Sequence, residues 1–225
     1  MLRRLWEYLN EHRKLLKVIS TIYNCIMFNK ISIRNGNHYK NQGAFLKKCS
    51  FKIKGENNTI ILEQGVRLEN CVIHMSGNNA NLHIQENSYA GNQSFHFEDE
   101  GCGILVGKKC VFNGGEFAVA EDGCKITIGD NCLFSRDIHI VTTDSHSILD
   151  IETQKRINHG QDVEIGNCVW LTAGVTLLKG SKIANGCVVG RRAVVTKKFE
   201  KENCVIAGCP GKVIKENIEW KTERI

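Results

Sequence analysis

The chain has 225 residues, a formal net charge of +6, one proline and eleven cysteines. Mean hydropathy is −0.24, and no apolar run approaches the roughly 18 residues that cross a bilayer, so a helical membrane protein is not the expected class. The cysteine count is odd and no C-x-x-C pair occurs. The thiols therefore read as small buried hydrophobes in a reducing cytosol, with neither a metal nor a disulfide framework expected.

The first element is "MLRRLWEYLNEHRKLLKVISTIYNCIMF". Charges interrupt it and no small-residue cleavage site follows, so it is not read as a signal peptide. Leu5, Leu9, Leu15, Leu16, Ile19, Ile22 and Ile26 form an apolar stripe at helical spacing, which predicts a helical cap over residues 1–30 that packs on the rest of the chain or on other copies of it. Six Lys/Arg against two acids over residues 1–30 make peripheral membrane contact through residues 1–28 the competing, less favoured reading.

From residue 54 the chain repeats every 22 residues: "KGENNTIIL", "SGNNANLHI", "EDEGCGILV" and "AEDGCKITI". Each unit ends on an aliphatic residue (Leu62, Ile84, Val106, Ile128), and another stands two before it (Ile60, Leu82, Ile104, Ile126). Cys102 and Cys124 follow the same period, as do Cys110 and Cys132. Twenty-two is three hexads plus four, so each unit is expected to be a three-sided coil with one widened corner. Gly or Asn occupies the corners, where positive φ is tolerated. From residue 165 the period is six. Ile165, Leu171, Leu177, Ile183, Val189 and Val195 are aliphatic throughout, and Val169, Val175, Ser181, Cys187, Ala193 and Phe199 form a second, mostly small series. Neither helix nor isolated strand has this period; a short-repeat solenoid does.

Between the two series lies "VTTDSHSILDIETQKRINHGQDVEIG", where the spacing stops for about 20 residues. Long loops in compact domains are usually functional or disordered. This one, at about residues 141–164, carries His146 and His159, with Asp144 and Asp150 near the first, and His139 just before it. A rigid frame holding a His out on a polar loop is offering a base.

Charge divides along the chain. Residues 165–225 carry a net +6 and residues 31–164 a net −4. Arg191, Arg192, Lys197, Lys198 and Lys212 are phosphate candidates as a set. The basic region lacks regularly spaced aromatics, so nucleic acid is not an expected partner, and no Walker or dinucleotide-binding motif occurs.

"IGNCVW" and "IGDNCL", with "TTDSHSI", "VVGRRAVVTKKF", "RINHGQDVEIGNCVW" and "CVIAGCPGKVIKENIEW", resemble the hexapeptide-repeat, acetyl-CoA-dependent O-acetyltransferases. The similarity is greatest to those acting on bacterial capsular polysaccharides of the polysialic acid type. It is specific over residues 120–220, weaker over 50–120 and absent from the N-terminal helix. The family's usual G-N/S-P-A-K is "GCPGK" here, with Gly211 for Ala. The resemblance implies an all-β solenoid, a left-handed parallel β-helix over residues 31–207, with the N-terminal helix and a short helical tail over 208–225. It implies a cytoplasmic homotrimer with sites between neighbouring subunits, and direct acetyl transfer to a sugar hydroxyl without an acyl-enzyme or a metal. His146 would be the general base, oriented by Asp144 in our reading, with Trp170 beside the base and thioester. Thr143, Ala173, Gly174 and Gly190 join the five basic residues as acetyl-CoA contacts, a backbone N–H near Ala173 or Gly174 serving the oxyanion. The alternatives are a same-fold enzyme acting on a nucleotide-sugar amine or an antibiotic hydroxyl, and a non-catalytic scaffold.

Overall fold

The structure is a computed structural model and describes residues 11–224. Helix α1, Arg13–Ile26, leads into a parallel β-solenoid of about eight turns with three sheets. Sheet one runs from Lys30–Ile33 to Val194–Val195, and sheet two from His38–Asn41 to Lys198–Phe199. Sheet three runs from Phe45–Lys47 to Val205–Ala207 and is closed by the antiparallel strand Lys212–Lys215.

The repeats are in register. Leu46, Leu68, Ala90, Phe112 and Phe134 stack in sheet three, each paired with the next. Ile60, Leu82, Ile104 and Ile126 do the same in sheet two. The six-residue aliphatics Leu171 and Val189 continue the first column above Phe134. All are buried. Eight of the eleven cysteines are buried as free thiols; Cys25, Cys168 and Cys209 are exposed.

The widened corner lies between sheets one and two. In a 22-residue coil, Val72–Met75 and Asn81–Ile84 each turn two side chains inward. In the upper coils Thr176–Leu177 and Lys182–Ile183 turn one each. The larger cross-section is filled by Phe51, Phe95, Phe97, Phe112, Phe117 and Phe134. An edge-on contact of 5.6 Å between Phe95 and Phe117 joins successive coils, and one of 5.4 Å between Phe112 and Phe117 joins sheet three to sheet one.

The apolar stripe of the N-terminal segment packs on its own chain only in part. Leu16 is buried, whereas Leu15, Ile19, Ile22 and Ile26 are exposed; Leu5 and Leu9 lie outside the described residues. The helix instead meets the open edge of Phe45–Lys47 through polar groups. The Leu46 N–H donates to Asn24 Oδ1 (2.7 Å), Asn24 Nδ2 donates to Ala44 O (2.9 Å), and Asn29 Nδ2 to Leu46 O (2.9 Å). These bonds satisfy a strand edge that would otherwise be free to pair with another chain. The C-terminal tail is not helical. It forms the strand Lys212–Lys215 and then an irregular segment, because the main chain of Val205–Ala207 at the sheet edge takes it as an antiparallel partner.

Candidate active site

Ile138–Val141 is the last wide strand of sheet one, and Val163–Ile165 resumes in sheet two. The partners Ile126 and Val163 are 37 residues apart, against 18 for Ile165 and Ile183. The loop thus leaves from the widened corner, at the step where wide coils give way to narrow ones. Thr142, just past the strand, is fully buried, its hydroxyl donating to Ala120 O (2.9 Å) and accepting from Ala120 N–H (3.0 Å). Beyond it the loop makes a short arm. Leu149 and Arg156 form an antiparallel bridge, and Ile157 N–H donates to Ile148 O (2.9 Å). At the tip Thr153 donates from both its N–H and its hydroxyl to Asp150 Oδ1, each at 2.8 Å, which holds that carboxyl below its usual range.

The foot of the arm is polar. Glu121, at the top of the last wide corner, accepts from the Thr143 hydroxyl (2.6 Å), the Gly160 N–H (2.8 Å) and the Arg156 guanidinium. Thr143 first, then the Gly160 amide and Arg156, bring its carboxyl down to about 2. Asn158, almost fully buried, receives Ile148 N–H on Oδ1 (2.7 Å). Its Nδ2 donates to Asp144 Oδ2 (3.0 Å) and to His146 O (2.8 Å). Lys179, from a narrow coil, donates to Asp144 and to Asn158 O. Lys179, with Asn158, holds the Asp144 carboxyl below its ordinary range.

His146 is therefore fixed by its backbone while its side chain faces solvent. Its N–H donates to Asp144 O (2.8 Å) and its carbonyl accepts from Asn158. Asp144 was expected to orient the imidazole. Its Oδ2 accepts from Lys179 and from Asn158, and through Asn158 it is linked to the peptide that carries the ring. His159 is exposed at the far side of the foot, and His139 Nδ1 lies 3.8 Å from Glu116 Oε2 on the outer face of sheet one.

Trp170 stands elsewhere. It belongs to sheet three, whereas the loop leaves the corner between sheets one and two. Thr143 uses its hydroxyl on Glu121 and accepts Ser145 N–H (3.1 Å), a loop-building role. The Gly174 N–H is engaged by Arg136 O (3.0 Å) and so is not free as an oxyanion donor; Ala173 O accepts Arg192 N–H (3.1 Å). At Gly174 φ is +75°, and a Cβ there would come 3.1 Å from Arg192 Cγ.

The basic candidates divide between two edges. Arg191 and Arg192 are exposed in the turn that joins sheet three to sheet one. Lys212, exposed, pairs with Ala207, whose Cβ would meet a side chain at Gly190 at 3.0 Å, so Gly190 serves the close approach of the next coil. Lys197 and Lys198 are exposed on the edge shared with the loop, Lys197 Nζ lying 5.4 Å from the Phe199 ring centroid. The Gly211 departure has a packing reason: a Cβ would come 3.3 Å from Ile206 Cγ2 and from Val194 O.

Glu121, Arg156, Asn158 and Lys179 were not singled out by the sequence reading. The one signal was positional: Glu121 lies 22 residues after Asp99, and its N–H donates to Asp99 Oδ2 (2.7 Å).

No protein-family model matches the chain. Among curated proteins, the polysialic acid O-acetyltransferase of Escherichia coli O1:K1 is 36% identical over 86 residues, 38% of this chain and 28% of that protein. The polysialic acid O-acetyltransferase of Neisseria meningitidis is 40% identical over 81 residues, 36% of this chain and 38% of that protein. The chain thus spans about a third of the length of these curated relatives. Solved structures match over more. The crystal structure of the polySia-specific acetyltransferase NeuO gives a TM-score of 0.78 at 30% identity, covering 87% of this chain and 88% of that one. The polysialic acid O-acetyltransferase OatWY gives 0.70 at 34% identity, covering 88% and 89%. With its repeat in register and its length matched on both of these structures, the chain belongs to the hexapeptide-repeat O-acetyltransferases, close to the polysialic acid type.

Proposed function

We propose that the protein transfers acetyl from acetyl-CoA to a hydroxyl of a bacterial surface polysaccharide, a capsular one, with His146 as general base. The observation that carries this reading is the anchored arm: Glu121 from the wide coils and Lys179 from the narrow ones, joined to Thr143, Asp144, Arg156 and Asn158 of the loop, hold the backbone around His146 and leave its imidazole open. A sugar hydroxyl is far too weak an acid to ionise unaided near neutral pH. A neutral imidazole takes its proton as the oxygen attacks the thioester carbonyl. The tetrahedral intermediate collapses with cleavage of the carbon–sulfur bond. The proton held by His146 passes to the departing CoA sulfur, leaving an acetyl ester and CoA.

Arg191, Arg192 and Lys212, close to one edge of the upper coils, suit the CoA phosphates as charge-assisted donors. His146 and Trp170 stand on different sides of one solenoid. A site that uses both needs the Trp of a second copy, which supports a homotrimer with sites between subunits. Among the described residues no helix is long and apolar enough to cross a membrane, and the protein is proposed to act in the cytoplasm.

The test is acetyl transfer from acetyl-CoA to a panel of capsular polysaccharides, polysialic acid included, beside UDP-amino sugars and chloramphenicol, read by mass. Ester formation on a polysaccharide is the expected result. Amide formation on an amino sugar, or transfer only to chloramphenicol, would assign the other acceptors, and no affinity for acetyl-CoA would leave a scaffold.

A further inference from the structure

The segment after Lys212–Lys215 turns back along the solenoid as an exposed strap. Its hold on the body is sparse: Glu216 pairs with Lys201, Ile218 N–H donates to Asn203 O (3.0 Å), and Trp220 Nε1 donates to Cys168 O (2.7 Å). The last bond seats Trp220 beside Trp170, two residues along from Cys168, with ring centroids 5.8 Å apart and planes tilted by 41°. A cavity of about 490 Å³ opens next to the pair between the strap and the coils, lined by Leu133, Cys168, Lys109 and Lys221 among others.

The indole of Trp170 is unusual in one respect. Its Nε1 is buried and has no hydrogen-bond partner. A buried donor without an acceptor lowers stability and calls for an explanation. It also means that no hydrogen bond of its own fixes the ring; only packing does, and one of the packing surfaces is Trp220. Of the nine described residues over 216–224, Ile218 and Trp220 are half-buried and the others exposed. A surface segment that places its single aromatic on this ring has a local purpose beyond covering the core.

We propose that Trp220 is a positioning residue of the acetyl-donor site: the strap presets the indole of Trp170 for the donor, and the strap's seating is part of donor binding. This rests on the reading of Trp170 as a donor-site aromatic.

The experiment compares Trp220→Ala, Trp220→Phe, Trp170→Ala and the double alanine variant in the full chain. Acetyl-CoA binding is read by calorimetry, with KM, kcat and near-ultraviolet circular dichroism alongside. Trp220→Ala is expected to weaken acetyl-CoA binding and raise its KM roughly 2- to 10-fold, the scale of an aromatic pair, with kcat little changed. It should also remove the coupled-indole signal from the dichroism spectrum. Trp220→Phe should restore most of the affinity, and Trp220→Ala should add nothing in a Trp170→Ala background. A Trp220→Ala change confined to melting temperature, or one of equal size with and without Trp170, overturns the proposal. If Trp170→Ala itself leaves acetyl-CoA binding intact, the donor-site reading of Trp170 is what has failed, and the positioning role falls with it.

Discussion

The solenoid is two frames joined at one step. Below the loop, coils of 22 residues carry two inward side chains on each flank of a wide corner, and phenylalanine fills the space. Above it, coils of 18 residues close all three corners evenly, with Val, Leu, Ile, Ala and Cys inside and a phenylalanine, Phe199, only in the last turn. Interiors pack at near-crystalline density, so a change of cross-section must be matched by a change of side-chain volume. Phe134 below and Leu171 above are direct partners across the step, and the residue size falls there. The corner that narrows is the corner that releases the loop. The wide frame supplies Glu121 and the narrow frame supplies Lys179, so the arm is clamped by both.

The largest expected effect tests what the step is for. His146→Ala should lower acetyl-transfer turnover by roughly 10²- to 10⁴-fold, the usual share of a general base, while calorimetry shows little change in acetyl-CoA affinity. His139→Ala and His159→Ala are controls with small effects. If His159→Ala is the inactivating change, the step still presents the base, but from the other side of its foot.

The core contrast can be broken directly. Phe134→Ala should cost about 3 to 5 kcal/mol of stability by leaving a cavity in the wide coil. Leu171→Phe, in the coil above, should cost about 1 to 3 kcal/mol by overpacking. Chemical denaturation of both variants measures this, and a neutral Leu171→Phe would show that the upper frame is not the tighter one.

The charge contrast comes next. Arg191→Ala with Arg192→Ala should raise the KM for acetyl-CoA roughly 10- to 150-fold, from the loss of hydrogen bonds to charged groups. An acetyl-pantetheine donor, lacking the phosphates, should be affected much less. Equal losses with both donors would indicate damage to the upper coils instead.

The smallest effect concerns the clamp. Glu121 has its folded carboxyl brought down to about 2 from 4.5. A depressed carboxyl contributes stability that is complete above the unfolded value and is lost as pH falls from about 4.5 through about 2. Glu121→Gln should therefore flatten the acid limb of a melting curve series over that window. It should also raise amide exchange in the arm at residues 148–157 at neutral pH, with the coils below unchanged. An unchanged acid limb would mean that the arm is held by Asn158 and Lys179 alone.

The sequence by itself determined the coil. A period of 22 or 6 with aliphatics at fixed positions leaves a stacked three-sided solenoid as the way to bury every one of them, and Leu62, Ile84, Val106 and Ile128 line one column as the spacing demands. The position of the loop was equally legible, since a broken period marks where the frame is interrupted, and His146 stood out as a titratable group on it. The tertiary structure alone decided what holds that loop. Glu121 and Lys179 are 58 residues apart in the chain and meet the same arm because stacking brings distant coils within hydrogen-bond reach. It also paired Asp144 with Lys179, turned the tail into a strand beside Val205–Ala207, and set Trp220 on Trp170 across 50 residues of sequence. Periodicity specifies contacts that repeat with the backbone; partners that meet once, through side chains of unequal reach, are fixed only when the coils are stacked.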